Sequence, residues 1–374
     1  MVAKMKKANM ANKNHNKELF IKGFIKILIA LILTGSMAAG CSNKDQSTEQ
    51  TQPTSATTQN SAINNAVFVV NGGSNSISVI DPTANKVTQT ISLKDVSFPH
   101  HIALNPTKDK LAVGVPGMDF SEGHNGMMEG MAGKVLVLDA NNGKLVNAIT
   151  IPEMNHNGIF SPDGKEIWTA EMAGAGKVQV YDAGNYKLLK EISAGKNPAE
   201  VTFSADGTKA FVANDGSNDI TVINVADKKV LKTIPVEHGP VGAWTGADNR
   251  MYVDNEHSQT ISIIDVNKLE VVETVKLGFT PGMASYNASM DELWVSDADS
   301  GSIAFYKKDS GKFVKAGNIP TGKGAHAIAF TKDGKTAYVT NQLADTVSVV
   351  DSVKKAKIID IKVGNKPNGL VVKE

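Results

Sequence analysis

A unit of about forty residues returns seven times along this chain, and no other feature restricts its fold so strongly. Its clearest copy is residues 209–234, KAFVANDGSNDITVINVADKKVLKTI, in which three short alternating stretches are broken by Asn-Asp-Gly-Ser-Asn and by Ala-Asp-Lys-Lys. Apolar residues at every second position have the period of a strand, and Gly/Asn/Asp clusters are its punctuation. With VINV at 222–225 as anchor, the equivalents are SVID ending at Asp81, LVLD at Asp139, QVYD at Asp182, SIID at Asp265, IAFYK around Tyr306 and SVVD at Asp351. The anchors fall about 41 to 44 residues apart, with one longer step into Asp139. Seven copies of a four-strand unit predict an all-β, seven-bladed β-propeller.

Each unit supplies strands b, c and d, and a segment of the type P-x-x-V-x-F-S-x-D-G then supplies strand a of the next blade. Examples start at Pro198 and, less strictly, at Ala325, with Asp206-Gly207 and Asp333-Gly334 as tight a-to-b turns. The repeats begin on a strand b, residues 66–70, and end on an unmatched strand a. Residues 369–372 are therefore expected to join blade 1 as its innermost strand, so that the C-terminal strand closes the ring and removes the exposed edges.

The stretches AFVANDGSNDITVINVADKKVLKTI and AYVTNQLADTVSVVDSVKKAKIIDI resemble the YVTN-type repeat of bacterial seven-bladed propellers, and the resemblance covers residues 66–374. That family hosts surface proteins, lactonase-like enzymes and the propeller halves of metalloenzymes, so it speaks for the fold and leaves function to the site.

Ahead of the repeats, seven lysines within residues 1–26 precede an apolar run at 27–33 and small residues at 35–40. This is the pattern of an export signal, and the run is short for a membrane span. Cys41, the only cysteine, follows Ala38-Ala39-Gly40, which resembles a bacterial lipobox with Ala38 where Leu is more usual. The resemblance implies a signal peptide over residues 1–41 and a lipid on Cys41, which would anchor an exported lipoprotein in membrane lipid on the outer face of the cell membrane. Residues 42–65, rich in Ser, Thr and Gln, have too few apolar side chains to fold and read as a disordered tether. A single cysteine excludes an internal disulfide, and without Cys-x-x-Cys-His there is no covalently attached haem. Arg250 is the only arginine; with seven of the 39 basic and one of the 38 acidic residues lying before Cys41, the remainder carries 32 basic against 37 acidic groups. Nucleic acid is not an expected partner.

Departures from the repeat mark where function should lie. The chief one is an insert at 116–133 between strand b (111–115) and strand c (134–139) of blade 2, carrying Met118, Met127, Met128, Met131, His124, Asp119, Glu122 and Glu129. In a four-stranded antiparallel blade, d-to-a and b-to-c loops share one face. By that rule His100, His101, His124, His156, His238, His257 and His326 all fall on it, as do seven of the nine methionines after the leader. His100, His156 and His326 occupy one register, four residues before Leu104, Phe160 and Phe330, with His101 next in line and His238 a few residues earlier in its own blade. Strand a is innermost, so these imidazoles are expected at the mouth of the central channel.

Imidazoles with thioethers suit copper, His in either oxidation state and Met for Cu(I). The candidate ligands are His100, His101, His156, His326, His238, His124, Met127 and Met128, in a membrane-anchored extracytoplasmic propeller that stores, delivers or protects against copper. Three alternatives stand beside this. Pro-His-x-Ile is also a common opening of strand a in the family, and the same face could bind another extracytoplasmic protein without metal. A lactonase-like, metal-dependent enzyme would draw on Glu171, Glu200, Asp254, Glu256 and Asp297. The third is a haem d1 protein: His156 or His326 would take the axial or distal place by resemblance to the haem d1 domain of dissimilatory nitrite reductase, although no basic cluster faces the acidic haem side chains. The His100-His101 pair is also similar to a pair at the copper cluster of nitrous oxide reductase, but this chain lacks that enzyme's cysteine-bearing electron-entry domain and is not expected to share its activity.

Overall fold

The computed structural model describes residues 63–121 and 130–374. Cys41, residues 42–62 of the tether, His124, Met127 and Met128 lie outside the described residues; Ile63, within the expected tether, packs against the core of blades 1 and 2 and donates its N–H to Asn141 O at 3.0 Å. Within them seven four-stranded antiparallel sheets stand in sequence, and each strand a packs against its neighbours' inner strands around a closed ring. Blade 4 shows the standard unit: strand a Pro198–Phe203, b Lys209–Asn214, c Asp219–Asn224 and d Val230–Pro235. Strands b and c are buried along nearly their whole length, because each is covered on both faces by the adjacent blades. That is why they read as continuous apolar runs. Strand d is the rim; in blade 4 only Ile234 of that strand is buried. Full burial of one such aliphatic side chain contributes about 1.5–3 kcal/mol, so the inner strands supply most of the driving force.

Two recurrent residues of the repeat have local causes. In five blades the carboxylate or amide ending the anchor caps the c-to-d turn: Asp81 Oδ1 accepts from the N–H of Thr83 (2.8 Å) and Ala84 (3.1 Å), and Asp182, Asn224, Asp265 and Asp351 repeat the pattern. A left-handed residue closes these turns, among them Asn85, Tyr186 and Lys228. The Asn ending strand b works across the next hairpin. Nδ2 of Asn71, Asn255 and Asn341 donates to two hydroxyls of strand c, at Ser76 and Ser78, Thr260 and Ser262, and Thr346 and Ser348.

The ring closes as the repeats require. Pro367–Lys373 pairs with Ala66–Asn71, Val372 opposite Val67 and Leu370 opposite Val69, giving blade 1 its innermost strand. Lys373 reaches on to blade 2, donating to Asn141 Oδ1 at 2.7 Å. Strand a is shorter than the repeat suggests in two blades, only Ile102–Leu104 in blade 2 and Ile159–Phe160 in blade 3. The residues before them, which include the histidines, run as irregular segments into the channel mouth.

Candidate metal centre

Close backbone approach brings the histidines together. His100 N–H donates to Gly114 O (2.8 Å) and Gly114 N–H to His101 O (2.9 Å), so strand b of blade 2 (Lys110–Val115) holds the pair. A Cβ on Gly114 would lie 2.6 Å from His156 O, and one on Gly369 would lie 2.7 Å from His101 Cα. These two glycines let the segments of blades 1, 2 and 3 crowd at the axis. From the closing strand Gly369 N–H donates to His100 O at 3.0 Å. Asn157 ties His156 to blade 4: its Nδ2 donates to Val201 O (2.9 Å), beside Glu200.

The result is a compact group. His100, His101 and His156 each offer a ring nitrogen, all within 4.8 Å of one another. Ring centroids are 3.9 Å apart for His100 and His156, 4.5 Å for His100 and His101, and 4.9 Å for His101 and His156. His326 follows at 5.8 Å from His100 and 6.0 Å from His101. One oxygen of Glu200, Oε1, meets both His156 Nδ1 (2.6 Å) and His101 Nε2 (2.9 Å). His100, His156 and Glu200 are 1–2 % exposed.

Glu200 occupies the same register of strand a as His101, one residue beyond His100, His156 and His326. In the histidine register blades 4, 5 and 6 carry Ala199, Val241 and Gly282, and blade 1 carries Asn368. The channel mouth thus has a polar half, from blades 7, 1, 2 and 3, and an apolar half opposite.

Two carboxyls here are driven in opposite directions. Burial alone would raise Glu200, but the imidazoles of His101 and His156 outweigh it and hold the carboxyl well below its usual range. Asp254, on strand b of blade 5 (Arg250–Asn255), is fully buried. Burial, then the charges of Glu256 and Glu200, push it far upward. Its Oδ1 accepts from Trp244 Nε1, while Oδ2 is buried without a hydrogen-bond partner. The Trp244 ring lies 5.8 Å from that of His101 and links the two carboxyls into one neighbourhood.

The remaining predicted residues distribute differently. His238 is exposed, with its carbonyl accepting from Ser258 N–H (3.2 Å), and is not part of the group; lying earlier in the sequence than the others' register, it falls on the loop before strand a. Met154 and Met172 are buried, and with Met118 and Met131 they share an apolar cluster with Phe120, Ala199 and Val241. Glu171 accepts from Gln179 Nε2 (2.5 Å). Sequence reasoning passed over Phe120 and Trp244. Phe120 stacks edge-on over His100 and His156, with centroids at 5.8 and 5.5 Å. The signal was present: it is the single aromatic residue in an insert otherwise read for its sulfur.

Two buried imidazoles, a third that is half-buried, and a carboxylate can hold a first-row divalent ion, and a carboxylate accepting from ring N–H groups is the usual means of orienting such ligands. Comparison with known structures agrees on the architecture. The chain is 19% identical to the periplasmic gluconolactonase PpgL of Pseudomonas aeruginosa, with TM-score 0.66 over 83% of this chain and 99% of that one. A putative 6-phosphogluconolactonase from Bacteroides fragilis gives 19% identity and TM-score 0.67 over the same shares. The dihydro-haem d1 dehydrogenase NirN, solved in complex with DHE, gives 15% and 0.57 over 82% and 75%. At these identities the likeness is one of fold. No curated protein matches the sequence. Residues 26–373 match the YNCE-like beta-propeller family, and the chain belongs to that family.

Proposed function

We propose that this chain is a metal-binding propeller, anchored outside the cytoplasm through Cys41, that takes up a first-row transition-metal ion at its channel mouth, copper(II) most tightly. The observation that carries the reading is the grouping of His100, His101 and His156, with ligand nitrogens within 4.8 Å and Glu200 behind two of them. Imidazole and carboxylate donors rank divalent ions in the order that peaks at copper. Met118, Met131, Met154 and Met172 pack with one another and with Phe120, which makes the surroundings of the imidazoles apolar; Met127 and Met128 lie outside the described residues. Glu200 engages His101 Nε2 and His156 Nδ1, so an ion bound with that carboxylate in place would have to take the other nitrogen of each ring.

The test is titration of the metal-free full-length protein with Cu(II), Zn(II) and Ni(II) in competition with a chelator of known affinity, beside His156→Ala. One equivalent of copper, held more tightly than zinc or nickel and lost in the variant, is the expected result. Absence of stoichiometric binding, or undiminished binding in the variant, would overturn the reading.

A second reading has an observation of its own. Glu200, driven toward its ionised form, and Asp254, driven toward its neutral one, stand on the same rim, and such opposed carboxyls are the pattern of an acid and a base. With an ion bound to polarise a carbonyl, this pair would suit hydrolysis of a lactone or ester. Lactone turnover by copper- or zinc-loaded protein, abolished in Asp254→Asn, separates it from simple binding.

A further inference from the structure

The first residues of the blade 2 insert lie over the histidines. Phe120 is 6% exposed, and the cluster it joins includes Ala199 and Val241, from the opposite, apolar half of the rim. Its ring faces His100 and His156. An arm from blade 2 thus reaches over the axis to residues of blades 4 and 5. Its position is fixed from a third direction: Lys366, in the loop entering the closing strand, pairs with Asp119 and donates to Ser121 Oγ at 3.0 Å. Asp119 Oδ1 in turn accepts from Ser121 N–H (3.0 Å), which stiffens the bend that presents Phe120. At its other end the insert is pinned by Gly130 N–H on Glu153 Oε2 (2.8 Å).

We infer that Phe120 is the stopper of the channel mouth: it decides what reaches the histidines, admitting a bare ion and refusing a macrocycle or bulky chelate, and the Lys366–Asp119–Ser121 contacts are its latch. The physical basis is occupancy of space. With the ring seated between the polar and apolar halves of the rim, a planar macrocycle cannot lie on His100 or His156 unless residues 118–121 withdraw. An ion smaller than one side chain needs only a brief opening of the arm, and exchange then follows the population of the open form. The aromatic face also replaces water over two imidazoles and keeps the donors from being hydrated.

The role in ion exchange rests on the metal-binding reading; shielding of the imidazoles does not, and the two are measured separately. Diethyl pyrocarbonate carbethoxylates accessible neutral imidazoles, and its sites are located by peptide mass spectrometry. In metal-free protein we expect slow modification of His100 and His156, about tenfold faster modification in Phe120→Ala, and an intermediate rate in Lys366→Ala; His238, already exposed, serves as the internal reference. Phe120→Leu, which keeps an apolar plug, should retain most of the protection. In copper-loaded protein the same order is expected for transfer of the ion to EDTA, with stoichiometry unchanged. Equal modification of His100 and His156 in wild type and Phe120→Ala overturns the stopper. Protected histidines in a protein that takes up no copper would retain the stopper and reject the metal reading.

Discussion

Changing Glu200 to Gln preserves the shape of the side chain and removes its charge at the one place where two imidazoles share an oxygen. The two contacts, 2.6 Å to His156 and 2.9 Å to His101, are those of charge-assisted bonds. Such bonds contribute about 1.5–3 kcal/mol each, against about 0.5–1.5 for neutral ones, so Gln should lose about 1–1.5 kcal/mol per bond and about 2–3 in all. Glu200 is 1% exposed, so solvent screening removes little of this. For a ring of this size the loss corresponds to about 5 °C in Tm. The pH dependence has a definite sign. Glu200 is depressed below its ordinary value, so its contribution is present above the unfolded pKa, about 4.3, and is lost as pH falls through the folded one. Calorimetry of metal-free wild type and E200Q should show the full gap at pH 7, narrowing below about pH 4. In copper titrations the same variant should bind about 10–100-fold more weakly, because the imidazoles lose their orienting acceptor. A variant that melts at or above wild type at pH 7, or a gap that widens on acidification, would refute the charge-pair argument.

Asp254→Asn should behave in the opposite way: the buried Asp254 is raised, so its contribution is present below the unfolded pKa and lost as pH rises. D254N keeps an acceptor for Trp244 and should melt higher than wild type at pH 8, by about 2 °C or more, with the gap closing toward pH 3 in the same calorimetric series. Gly369→Ala would place a methyl 2.7 Å from His101 Cα and 2.9 Å from His100 O. It should cost about 1–3 kcal/mol in denaturant unfolding and weaken copper binding as well, since the pair must move. Deleting residues 367–374 strips blade 1 of its inner strand and exposes the edge of Ala66–Asn71. Size-exclusion chromatography should then show aggregates in place of the wild-type peak, as an unpaired strand invites edge pairing.

The fold was legible because its determinants are local. Alternation along residues 209–234, the Asp or Asn that caps most c-to-d turns and the Asn that spans the b–c hairpin are set by neighbours a few positions away. Even closure by the last strand followed from counting strands. The site was legible only where register carries it: His100, His156 and His326 share one position of the repeat, four residues before Leu104, Phe160 and Phe330, although in blades 2 and 3 that position precedes the strand. That Glu200, one register on, would join His101 and His156 depends on Asn157 drawing two blades together, a tertiary fact with no local signature. The insert resisted reading for a related reason. Met127 and Met128, read as soft ligands, lie outside the described residues, while Met118 and Met131 pack with Phe120, whose position is fixed by Lys366 some 245 residues away. His238 lay outside the shared column, and the structure leaves it exposed on its loop.

The closing strand also sets a clock. Of all the strands described, Pro367–Lys373 is the last to leave the ribosome, and it carries the Gly369 N–H that steadies His100 and the lysine that latches the arm over it lies just before, at 366. A nascent chain missing these few residues has every histidine of the group and lacks the walls that bring them together. The group of His100, His101 and His156 is therefore complete only once this strand has paired with Ala66–Asn71.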